Sequence, residues 1–166
     1  LSIKSIGTSS ASSTFANNSG ASNIEVRASS ITTNTFIGLN AGSRNTTGIQ
    51  NTFIGQGTGL NNTTGNSNTF IGQNVGQANT IGSANVIIGP RAGQTNTTGS
   101  NNLFLGEAAG LVNTTGEGNI FLGQDAGASN TSGERNIFIG LLSGYSNTTG
   151  IWNIAIGGQQ TLSSNT

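Results

Sequence analysis

Short apolar triplets alternate with polar, glycine-punctuated stretches along this chain, at one fixed interval. TFI at Thr35–Ile37, LFL at Leu103–Leu105 and IFI at Ile137–Ile139 each follow an Asn and precede a Gly. The Asn recurs at Asn34, Asn51, Asn68, Asn85, Asn102, Asn119, Asn136 and Asn153, which divides 119 residues into seven intervals of 17 with no insertion or deletion. Counting from that Asn as position 1, the unit reads N-[TIVL]-F-[IL]-G-x-x-A-G-x-x-N-T-T-G-x-x. A strict period of this length is the signature of a stacked repeat architecture.

The period predicts an all-β fold, a parallel β-solenoid (β-helix or β-roll) of about eight 17-residue turns. Seventeen extended residues at about 3.3 Å each give roughly 56 Å of contour, which suits one closed turn stacked about 4.8 Å from the next. Every residue then lies above its equivalent, so an insertion would break the stack. Helix–turn–helix repeats need longer units, and Gly does not fall at every third residue as collagen requires. Gly at positions 5, 9 and 15 divides each turn into three segments, and positive φ angles at corners are the expected reason. The segment from position 16 to the next position 4 carries the β-branched and aromatic residues and is the predicted strand.

Neighbouring residues on a strand face opposite ways. Position 4 is Ile or Leu throughout, from Ile37 to Ile156, and position 3 is Phe36, Phe53, Phe70, Ile87, Phe104, Phe121, Phe138 and Ala155. One column fills the interior and the other faces out; alternation alone does not decide which. Our expectation is that positions 2 and 4 fill a narrow lumen and that the Phe column lies outside. Phe36, Phe53, Phe70, Phe104, Phe121 and Phe138 are then candidates for self-association, because a row of large apolar side chains on an outer face marks an interface. The Asn columns suggest amide ladders running along the axis. The candidates are Asn34, Asn51, Asn68, Asn85, Asn102, Asn119, Asn136 and Asn153, with a second column at position 12 from Asn45 to Asn147.

Residues 1–33 depart from the repeat and read as an N-terminal arm or cap, with Ser22–Thr33 as a strand entering the first turn; residues 34–166 form the repeat solenoid. The repeat decays through QQTLSSNT without a charged cap, which leaves an edge open to end-to-end pairing. The chain starts at Leu1 and contains no Met, which reads as a processed product or an excised fragment. Five basic and five acidic residues cancel and lie scattered, so there is no basic stripe for nucleic acid. No apolar run is long enough for membrane insertion.

The absence of His and Cys removes a His-based triad and thiolate metal sites. With no convincing carboxylate pair and no P-loop, the reading is of a non-enzyme without cofactor, metal or catalytic residues. The variable positions 6, 7, 10, 11, 16 and 17 are expected at exposed corners, where Tyr145 and Trp152 are weak candidates for binding a surface partner such as a cell-surface glycan. The N-T-T and N-T-S triplets are formal glycosylation acceptors only if Asn45, Asn62, Asn96, Asn113, Asn130 and Asn147 face outward. Stacked Thr residues also suggest ice binding. Strand alternation would point consecutive Thr residues to opposite sides, so that reading ranks last.

The NTFIG…NTTG unit resembles repeats of bacterial surface and phage tail-fibre proteins. It is also similar to the head repeats of YadA-like trimeric autotransporter adhesins, whose unit is shorter and has a small residue where this chain has Phe. The similarity covers about residues 34–160. It implies an elongated, self-associating solenoid that is extracellular, on a cell surface or in a virion fibre. Its partners would be copies of itself, as a trimer or an end-to-end filament. The expected function is therefore a structural self-assembling subunit of an extracellular fibre, with an adhesin head or tail-fibre segment as the alternative.

Overall fold

A computed structural model describes residues 12–16, 22–27 and 33–158. The expectations for residues 1–11, 17–21, 28–32 and 159–166 lie outside the described residues. The described residues form one ten-stranded sheet in sequence order. Its first two strands are β1 (Ser12–Ala16) and β2 (Ser22–Arg27). Eight three-residue strands follow: β3 (Thr35–Ile37), β4 (Thr52–Ile54), β5 (Thr69–Ile71), β6 (Val86–Ile88), β7 (Leu103–Leu105), β8 (Ile120–Leu122), β9 (Ile137–Ile139) and β10 (Ile154–Ile156).

Strands β3 to β10 pair in parallel with a register shift of 17, as in Phe36↔Phe53 and Phe104↔Phe121. The fold is thus a parallel β-solenoid, and its eight stacked strands bound about seven complete turns. Only three residues per turn are strand, yet hydrogen bonds between turns continue around the coil. Thr35 N–H donates to the Asn51 carbonyl, Gly42 N–H to Thr58, and Thr46 N–H to Thr63. The backbone polar groups of the turns are satisfied by the neighbouring turn rather than by water.

At the N-terminal end β2 pairs antiparallel with β3, through Val26↔Ile37 and Arg27↔Phe36, and β1 pairs antiparallel with β2. The first turn is therefore covered by two strands that break the 17-residue register. At the other end β10 pairs only with β9 among the described residues.

The core corrects the expected direction of the strand. Phe53, Phe70, Phe104, Phe121 and Phe138 are 0% exposed and Phe36 nearly so; the Phe column fills the lumen, while positions 2 and 4 face outward. The Phe candidates for self-association are thus ruled out as an outer surface. Their rings stack along the axis, with centroids 4.8 Å apart for Phe104 and Phe121 and 5.1 Å apart for Phe121 and Phe138. The lumen admits them because the wall they face is small. Position 8 is buried Ala, Thr, Val or Ser, and at position 9 a Cβ on Gly127 would sit 2.6 Å from the Phe121 ring. Large residues packed against small ones fill a core without voids.

The glycines divide by reason. Position 5 holds φ of 124–140° and position 9 holds φ of 52–61°, the left-handed side that Gly permits. Position 15 has no positive φ. It is Gly because a Cβ would overlap the position-12 amide oxygen and the next turn's carbonyl. Two further corners per turn are left-handed without requiring Gly: position 7, as in Asn40, Arg91 and Leu142, and position 17, as in Gln50, Arg135 and Trp152.

Candidate functional sites on the coil

Two buried Asn columns hold the turns together. At position 1 the Asn51 backbone N–H donates to Asn34 Oδ1 at 2.7 Å, and the pattern repeats up to Asn153 and Asn136. The same side chain also bridges a corner to the next turn: Asn102 Nδ2 donates at 2.8 Å to the carbonyl of Gly116, which stacks over Gly99. At position 12 each Nδ2 donates to the preceding turn's Oδ1, as from Asn113 to Asn96 at 2.8 Å, and to the position-15 carbonyl of its own turn. Each position-15 carbonyl thus accepts from both columns. The position-12 ladder ends at Asn147, whose Oδ1 is buried and has no partner among the described residues.

These amides are structural. Asn62, Asn96, Asn113, Asn130 and Asn147 are fully buried and committed to the ladder, so their N-x-[ST] triplets present no accessible acceptor. Replacing Asn102 with Leu keeps the branched shape but strands the Asn119 N–H, while the Gly116 carbonyl keeps its bond from Asn113. One stranded buried donor predicts a loss of about 1–3 kcal/mol in chemical denaturation. A loss under about 1 kcal/mol would show that water replaces the amide.

The Thr residues at positions 13 and 14 are not in strands, so strand alternation does not separate them. Position-14 residues such as Thr64 and Thr115 are exposed and position-13 residues partly so. The position-13 hydroxyls are internally committed: Thr97 Oγ1 donates to the Thr114 carbonyl at 3.0 Å, and Thr114 Oγ1 to Thr131. Tyr145 and Trp152 are both exposed, as expected for corners. The Arg135 guanidinium lies 5.2 Å from the centre of the Trp152 ring, and Arg135 also pairs with Glu134. These two aromatics belong to positions 10 and 17 and form no common stacking platform within the repeat.

The surface that sequence reasoning misplaced is the outer side of the strands. Among the described residues twelve large hydrophobics are exposed, and all but Ile81 and Tyr145 lie at positions 2, 4, 6, 16 or 17, in the strand segment or its immediate flanks. Column 2 runs Thr35, Thr52, Thr69, Val86, Leu103, Ile120, Ile137, Ile154, and column 4 is Ile or Leu throughout. None of these sixteen residues is charged. One signal was available: column 2 drifts from Thr to Ile, a change in both size and polarity that an outward-facing column tolerates.

Among the described residues no group of three His, Cys, Asp or Glu side chains could hold a metal ion, and no helix is long and apolar enough to cross a membrane. No known protein family, curated protein or solved structure matches this chain.

Proposed function

We propose that this protein is a structural subunit that assembles with copies of itself through the outer face of its strands, as part of an extracellular fibre. The observation that carries this reading is the gathering of exposed apolar side chains along the uncharged strand columns 2 and 4 and on their immediate flanks. Water-exposed apolar area of this kind is stabilised by being covered.

A second copy is the favoured occupant because the strip is periodic. Its ridges repeat about every 4.8 Å, and a surface with that period interdigitates best with another of the same period. Eight rows span about 34 Å, and two columns with their side chains cover roughly 400 Å². That is about half of one partner's share of a standard interface, near 800 Å². Leu39 and Leu141 at position 6 and Ile49 and Ile151 at position 16, all exposed, extend the contact on both sides. The extracellular setting is supported by the resemblance of the repeat to surface and tail-fibre proteins.

The test is the mass in solution by light scattering. The natural chain is expected above one copy, and the double variant Ile120→Lys/Leu122→Lys, which sets two charges in mid-strip, is expected to lose the lateral contact while keeping its circular dichroism. A natural chain that stays a monomer, or a mass that the lysines leave unchanged, overturns the reading.

A further inference from the structure

The two ends of the coil differ in chemistry. The N-terminal end is covered by β1 and β2, which include Glu25 and Arg27. The C-terminal end carries none: residues 136–166 contain no charged side chain. Half of the exposed large hydrophobics among the described residues lie there, namely Leu141, Tyr145, Ile151, Trp152, Ile154 and Ile156. Ile154 and Ile156 are 68% exposed and Trp152 69%.

We infer that this end docks on the same end of a second copy, tail to tail, by antiparallel pairing of β10 with its mate. The edge is self-complementary. In β3 the Thr35 N–H points to the next turn, where it donates to Asn51, and the Ile37 carbonyl points the same way, accepting from Gly55. Their equivalents in β10, the Ile154 N–H and the Ile156 carbonyl, point off the end of the coil. An antiparallel mate centred on Ala155 sets each Ile154 N–H against the mate's Ile156 carbonyl, twice over by symmetry. It also lays Ile154 beside the mate's Ile156, so the outer strip runs on from one copy into the next. A two-fold contact of this kind closes at two copies.

Head-to-tail stacking fits less well. β1 runs parallel to β10, but its register places Ser12 and Ser13 in line with Phe36 and Ile37, which would set hydroxyl residues against the apolar row of β10.

The contact is independent of the lateral one, and the test separates them. In the full-length Ile120→Lys/Leu122→Lys background, light scattering is expected to give two copies at high concentration, and small-angle scattering a rod of about 90 Å, roughly twice the 43 Å or so spanned by one ten-stranded sheet. Adding Ile154→Lys and Ile156→Lys is expected to halve that mass, whereas adding Thr35→Lys at the other end leaves it at two. A mass that climbs beyond two copies with concentration shows head-to-tail growth and overturns the inference. A monomer overturns it too, and points to residues 159–166 of the same chain as the occupant of the edge. Loss of lateral association in the background with two copies retained supports both contacts; an unchanged higher mass sinks the lateral reading alone.

Discussion

Phe121→Ala is expected to destabilise the coil by about 4–6 kcal/mol, combining the 3–5 kcal/mol typical of emptying a buried Phe site with the loss of ring stacking above and below. Phe121 has no exposed surface, and Phe104 and Phe138 stack on its two faces. The opposing Gly127 has no side chain with which to fill the space. The hole therefore stays open, and relaxation recovers little of the loss. Guanidinium denaturation of the natural chain and the variant measures the difference. Hydrogen exchange should place the weakening in the turns around 104–138, because each turn of a solenoid contacts only its neighbours. If the Phe column faced solvent, the change would stay within about 0.5 kcal/mol, as for ordinary surface substitutions.

The second large effect belongs to a glycine. Gly106 holds φ of +140°, and a Cβ placed there would lie 2.5 Å from the Gly123 carbonyl oxygen of the next turn. Gly106→Ala thus combines backbone strain of about 1–3 kcal/mol with overpacking of about 1–3 kcal/mol against backbone that cannot step aside. The expected loss is roughly 2–6 kcal/mol, read as a lower denaturation midpoint. Gly118→Ala is the control. Its φ of +66° lies where other turns carry Gln, Ser, Asn, Arg or Trp, and its nearest neighbour would be Arg135 Cγ at 3.4 Å. That change should cost about 1–2 kcal/mol at most, the usual price of one left-handed residue. Equal losses at the two sites would mean that φ alone, and not the approach of the next turn, sets the requirement for Gly at position 5.

The Asn columns were legible because identical amides at a fixed interval have few other uses in a stacked chain. Their second role, bridging the corner from Asn102 to the Gly116 carbonyl of the neighbouring turn, was not, since it depends on how sharply the chain bends between positions 15 and 1. The left-handed corners at positions 7 and 17 left a faint trace. Asn40, Gly57, Asn74 and Asp125 at position 7, and Asn101 and Gly118 at position 17, are residue types that tolerate that conformation. Arg91, Leu142 and Trp152 at the same positions hid the pattern. The alternation rule misled at Thr46 and Thr47 because it holds for strands, and that part of the turn bends.

What the amino-acid sequence by itself determined is the period, and with it the parallel stack, the 17-residue register and the amide ladders. These follow from the fact that a residue returning every 17 positions must sit above its equivalent. What only the tertiary structure decided is the inside and outside of the strand. Phe at position 3 and Ile at position 4 are both large and apolar, so period and hydrophobicity assign them alike. The choice rests on the opposite wall, where Gly127 and its equivalents leave room for a ring, and no local pattern states which wall a strand will face. That choice moved the assembly surface from the Phe column to the aliphatic strip beside it.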